Sequence, residues 1–130
     1  MLTNKPIIPI LPVVDLDRAR KFYESKLGLR PSTEQFSDTG VVYDAGAGTK
    51  LEIDRRDEPT KAQHTALTFE VDDIEREVVE LEGRGVQFED YDLPGLQTAH
   101  HIARMEGVRA AWFKDPDGNI LCLHQRSSAA

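Results

Sequence analysis

Val13-Val14-Asp15-Leu16 and Val71-Asp72-Asp73-Ile74 are one pattern met twice, 58 positions apart. At the same offset Leu11 falls on Phe69. What surrounds each copy also repeats. Lys5–Val14 is rich in Ile and Val and reads as a strand; Pro6, Pro9 and Pro12 suit a strand paired on one side only. Asp15-Leu16-Asp17 then supplies a helix N-cap, and Leu16, Ala19, Phe22, Tyr23 and Leu27 recur at spacings of three and four up to Gly28. Strand-like runs follow at about 30–36, 40–45 and 49–54, the last two separated by the turn Gly46-Ala47-Gly48. After a polar stretch over 55–63 the order restarts. A strand at 64–71 leads to a cap at Asp72-Asp73, a helical face of Ile74, Val78 and Leu81, and runs at about 86–91, 108–114 and 120–125. The simplest account is an α+β chain of 130 residues forming a single domain of two tandem βαβββ modules. Module 1 spans about 5–54, the linker 55–63 and module 2 about 64–126. Paired, such modules would make an eight-stranded cup with the helices outside.

Composition narrows the partners. Sixteen basic residues against 23 acidic ones give a net charge of −7 with no clustered Lys/Arg stripe, so nucleic acid is not expected. No apolar run is long enough to span a bilayer, and the N-terminus lacks a basic segment followed by an apolar one. A cytoplasmic location is the expectation. Cys122 is the single cysteine and has no internal disulfide partner.

Two stretches resemble a known family. Asp15-Leu16, Phe22-Tyr23 and Leu27-Gly28 are similar to the first helix of the vicinal oxygen chelate proteins, the group of glyoxalase I, bleomycin-resistance proteins and extradiol dioxygenases. Asp115-Pro116-Asp117-Gly118-Asn119 is similar to that family's last hairpin turn. Both also have plain physical readings: aromatic anchors for a sheet face, and turn chemistry in which Pro fixes φ and Gly accepts a positive one. They identify a scaffold rather than an activity.

The resemblance implies four metal positions. In metal-using members each module offers a His or Gln seven residues before the helix-starting Asp, and a Glu from its last strand. Here those positions hold Ile8 and Ala66, and Glu52 and Cys122. Two of the four have no donor atom, whereas a divalent ion needs several. No metal and no cofactor are therefore expected. His64 and His124 each lie two residues from such a position, about 7 Å along a strand and too far to substitute. Both read as solvated or hydrogen-bonded histidines within reach of a ligand.

Strand alternation sorts the two faces. Leu11, Val13, Leu51, Ile53, Leu121 and Leu123 form an apolar face for the helices, while Ile8, Glu52, Ala66 and Cys122 share the mixed opposite face. In a hairpin turning through 115–119, Phe113 faces Leu121 and Trp112 faces Cys122. Trp112 then stacks on a planar ligand or packs in a core or dimer contact. The segment 93–107 reads as a long loop, with His100 and His101 either solvated or available for acid–base work. The function expected is metal-independent binding of a small organic molecule, as in drug-sequestering members, by a homodimer. The candidate ligand contacts are Trp112, Glu52, His64, Ile8, Ala66, Cys122, His100 and His101. The alternative is an enzyme of the same scaffold, a lyase, isomerase or dioxygenase-like protein with a nonstandard site. No catalytic residue is assigned.

Overall fold

Asp15 and Asp73, the two aspartates of the repeated pattern, both cap helices. The Asp15 carboxylate accepts from the Arg18 amide at 3.1 Å, and the Asp73 carboxylate from the Arg76 amide at 3.2 Å. The computed structural model describes residues 1–127. It divides into two units, Met1–Lys61 with Pro116–Gly118, and Ala62–Asp115 with the segment beginning at Asn119.

The first unit carries β1 (Ile10–Val13), α1 (Leu16–Arg20), β2 (Arg30–Pro31), β3 (Gly40–Asp44) and β4 (Lys50–Arg55). Its sheet order is β1-β4-β3-β2, with β1 parallel to β4 and the other pairs antiparallel. Strand β1 is shorter than the sequence suggested. Its proline-rich approach lacks the N–H groups a ladder needs, and β1 ends the sheet, where Pro12 is tolerated. After α1 the helix widens into a π-helical turn over Lys21–Lys26, in which the Leu27 amide donates to the Phe22 carbonyl five residues back. This segment buries Phe22 and Tyr23 side by side, and Tyr23 stacks on Tyr43 of β3 at 6.1 Å between ring centroids. With Leu11, Val13, Ala19, Leu51 and Ile53 they form the core of this unit. Each large side chain removed from water contributes about 1.5–3 kcal/mol.

The second unit carries β5 (Thr65–Glu70), α2 (Ile74–Gly83), β6 (Phe88–Glu89), β7 (Asp92–Leu93), β8 (Leu96–Ala99), β9 (Ile102–Met105), β10 (Val108–Lys114) and β11 (Ile120–Arg126). The path β5-β11-β10-β6, with β5 parallel to β11, repeats β1-β4-β3-β2. Two βαβββ units are therefore present, each with an open sheet. The stretch expected as a loop is instead two hairpins: β7 pairs β8, β8 pairs β9, and β9 joins β10 beside β6. Ile74, Val78 and Leu81 of α2 pack with Phe88, Phe113, Leu121 and Leu123 in the core, and the Phe88 and Phe113 rings meet edge to face at 5.4 Å.

The Asp-Pro-Asp-Gly-Asn turn works as its chemistry requires. The Asn119 amide and side-chain nitrogen each donate to Asp115 at 2.8 Å, and Gly118 holds a φ of +90°. Asp117 serves the first unit, accepting from the Val14 amide at 2.8 Å and from the Arg18 guanidinium at 3.1 Å.

Candidate functional site

In the first unit, β1 and β4 run in register with Ile10 beside Glu52, and Val42 of β3 lies beside Glu52 on its other flank. Side chains paired across strands share a face, so Ile10, Glu52 and Val42 lie together. Ile8, two residues before Ile10, is half-buried just ahead of β1. Glu52 is only 8% exposed. Burial, with the Asp54 carboxylate adding to it, holds its carboxyl above the usual range. The nearby cation, Arg56, pairs with Asp54 at 3.1 Å.

In the second unit, Trp112 pairs with Cys122 and Phe113 with Leu121, as the hairpin reading anticipated. Trp112 is half-buried, and its indole N–H donates to the Thr65 hydroxyl at 3.1 Å. Tyr91 meets it edge-on at 5.5 Å, so the indole is fixed on two sides. Cys122 is buried, its thiol pushed up by burial and therefore a weak nucleophile. His124, next along the same face, has a buried Nδ1 with no hydrogen-bond partner in the structure.

The register of β5 slips between Ile120 and Leu121: Ile120 pairs with Thr65 and Leu121 with Leu67, so Ala66 is the bulged residue. Simple alternation put Ala66 on the Trp112 face. The bulge brings Thr65 there as well, and Thr65 and Tyr91 are the two contacts that sequence reasoning missed. A bulge leaves no composition signal at an Ala. His64 lies exposed in the bend just before β5.

His100 and His101 stand elsewhere. The His101 ring stacks on Phe88 at 5.9 Å, and Phe88 packs on Phe113, on the α2 side of the sheet. Trp112 and Cys122 occupy the opposite side. The structure thus gathers Trp112 and Cys122 on one face and leaves the histidine pair on the other.

The family model of the Glyoxalase/Bleomycin resistance protein/Dioxygenase superfamily matches residues 7–123. The chain belongs to this superfamily. Solved structures agree in fold. A glyoxalase/bleomycin resistance protein from Catenulispora acidiphila is 26% identical, with a TM-score of 0.65 over 94% of this chain and 98% of that one. A glyoxalase family protein from Enterococcus faecalis is 23% identical, with a TM-score of 0.69 over 95% and 99%. A fosfomycin resistance protein from Mesorhizobium loti is 17% identical, with a TM-score of 0.65 over 98% and 96%. No curated protein matches the chain. No helix among the described residues is long and apolar enough to cross a membrane.

Metal-using members of the superfamily set the comparison for the donor groups. Ile8 and Ala66 carry none, and Cys122 is a buried thiol that burial keeps protonated. Among the described residues no three His, Cys, Asp or Glu side chains gather as a metal site would require. The residues present do not fit the family metal.

Proposed function

We propose that this superfamily member is a cytoplasmic homodimer that binds a small planar or amphiphilic organic molecule without a metal. Trp112 is the stacking surface of the second unit, with Cys122 beside it, Ala66 and His64 toward the start of β5, and the buried His124 Nδ1 as a polar contact. Glu52 is the polar group of the first unit, set among Ile8, Ile10 and Val42. The observation that carries the reading is the pinned indole: Thr65 and Tyr91 hold Trp112 in place, so little side-chain freedom remains to be lost on binding. Where the family places donors, Ile8 and Ala66 offer apolar surface, so affinity comes from burial and stacking.

The test is a small-molecule panel in EDTA, read by Trp112 fluorescence, with hits repeated by calorimetry because Trp112→Ala removes the reporter. Trp112→Ala is expected to weaken binding about three- to tenfold through lost stacking alone. Glu52→Gln is expected to weaken only ligands that carry a donor or a cation. Binding that needs added metal, or that survives both substitutions unchanged, overturns the proposal.

A second reading rests on Glu52 alone. A buried carboxyl held above its usual range is suited to proton transfer, as a lyase or isomerase would need. Turnover of any panel compound, lost in Glu52→Gln with binding retained, would select it.

A further inference from the structure

Ala99 and Ile102 close the β8–β9 hairpin, leaving His100 and His101 as a two-residue turn. Both sit in the left-handed region, with φ of +52° and +70°. That is the geometry of a type I′ turn, which favours Asn and Gly at these positions. Side chains with a Cβ are strained there, and strain of this kind persists where surrounding contacts enforce it.

The enforcing contacts are visible at His101. Its Nδ1 lies 2.8 Å from Asp90 Oδ1, just after β6, and its Nε2 lies 3.3 Å from Glu82 Oε2 on α2. Asp90 Oδ1 also accepts from the Thr98 hydroxyl of β8 at 3.2 Å. A carboxylate only accepts, and a neutral imidazole has one N–H, so two carboxylates are satisfied together only by the imidazolium. The turn, α2 and the segment after β6 thus meet at one ring. Beside it, α2 and the hairpin enclose a cleft of about 620 Å³ with Val78, Val79 and Ile102 on its walls. The other groups with ionisable side chains facing it are Glu75 of α2, Arg104 of β9 and the neighbouring His100. Glu75 is engaged by Arg104 at 3.4 Å and Arg109 at 3.2 Å.

We propose that His101 is a proton-operated latch: as the imidazolium it ties the β8–β9 turn to α2 and narrows the cleft, and on losing its proton it releases the turn from Glu82. The Glu82 arm is the one released, because the shorter Asp90 contact retains the single N–H. Hydrogen bonding to Asp90, offset in part by burial and reinforced by Glu82, raises the histidine above its ordinary value. A raised value in the folded state means that the stabilisation is full below the unfolded histidine value and is lost as pH rises through the folded one.

The test combines nitrogen-resolved NMR of the imidazole with amide hydrogen exchange across Leu96–Ala99 and Ile102–Met105, each rate divided by its intrinsic rate at that pH. His101 is expected to titrate above the ordinary histidine value of about 6.5, with both ring nitrogens protonated below that midpoint. Protection of the hairpin is expected to fall about two- to fivefold across the midpoint, as loss of a partly exposed ion pair allows. Glu82→Gln should lower the midpoint and flatten the exchange profile. His101→Asn, which tolerates the left-handed turn, should abolish the pH dependence. If His101→Asn does not fold, Glu82→Gln on the exposed face of α2 decides alone. A midpoint at or below the ordinary value, or a profile unchanged in Glu82→Gln, overturns the latch.

Discussion

Glu52 shows how the surroundings of a single residue set its chemistry. It stands on the last strand of its unit, where the family places an acidic ligand, yet its surroundings are Ile10, Val42 and the Asp54 carboxylate. Because its folded-state value is raised, the folded chain binds that proton more tightly than the unfolded chain, and stability falls as Glu52 ionises. Glu52→Gln is therefore expected to melt higher than the wild type above the Glu52 titration, with the advantage vanishing as pH drops toward the ordinary glutamate value. Thermal scans from acid to neutral pH check this, and an advantage that grows toward low pH would show the sign to be wrong. Gly40 guards the same strand. A Cβ there would lie 2.8 Å from the Ile53 carbonyl and 3.4 Å from a Glu52 carboxylate oxygen. The first contact is backbone and cannot swing aside, so Gly40→Ala is expected to cost about 1–3 kcal/mol in urea unfolding. At this scale the sequence was informative about residue identity and poor about facing. Counting from Asp15 and Asp73 reaches Ile8 and Ala66, but gives no sign of the bulge at Ala66 that brings Thr65 to the Trp112 face.

Elements were legible where two signals agreed. Helix α2 had both a capping Asp and a 3–4 apolar spacing, and the structure shows both. Asp73→Ala is accordingly expected to cost about 1 kcal/mol, with Asp15→Ala similar, measured by chemical unfolding. In sequence the region 93–107 reads as a loop, being long for a connection between short strands and carrying Pro94-Gly95 and adjacent histidines. Pairing with neighbours overrides that reading: β9 takes its register from β10, and β8 from β9. The His-His turn is the cost of this hairpin. Since His100 at φ +52° forms none of the latch contacts, His100→Gly is expected to stabilise the chain by about 1 kcal/mol through relief of left-handed strain. A melting temperature lowered by His100→Gly would mean that the side chain holds the turn by contacts of its own.

At the scale of the whole molecule the repeat was the most legible feature, because an order of elements that recurs at a 58-residue offset leaves a signal that no single substitution erases. How many chains assemble is a different matter, since strand edges have no sequence motif. The structure exposes them. Strand β1 ends the first sheet and β5 ends the second. Apolar side chains lie near the first of these edges: Ile7 is 83% exposed and Ile10 is 55% exposed. On β5, Leu67 and Phe69 remain half-buried although they belong to the face that carries the helix. End strands flanked by apolar side chains invite a second chain, and a self-complementary contact between identical copies is the commonest closed solution. We expect a homodimer at micromolar concentration by light scattering. Ile10→Lys, which places a charge on an end strand, should shift the population toward monomer while leaving the far-ultraviolet dichroism unchanged. A wild-type monomer at that concentration, or a dimer indifferent to Ile10→Lys, would move the association surface away from β1.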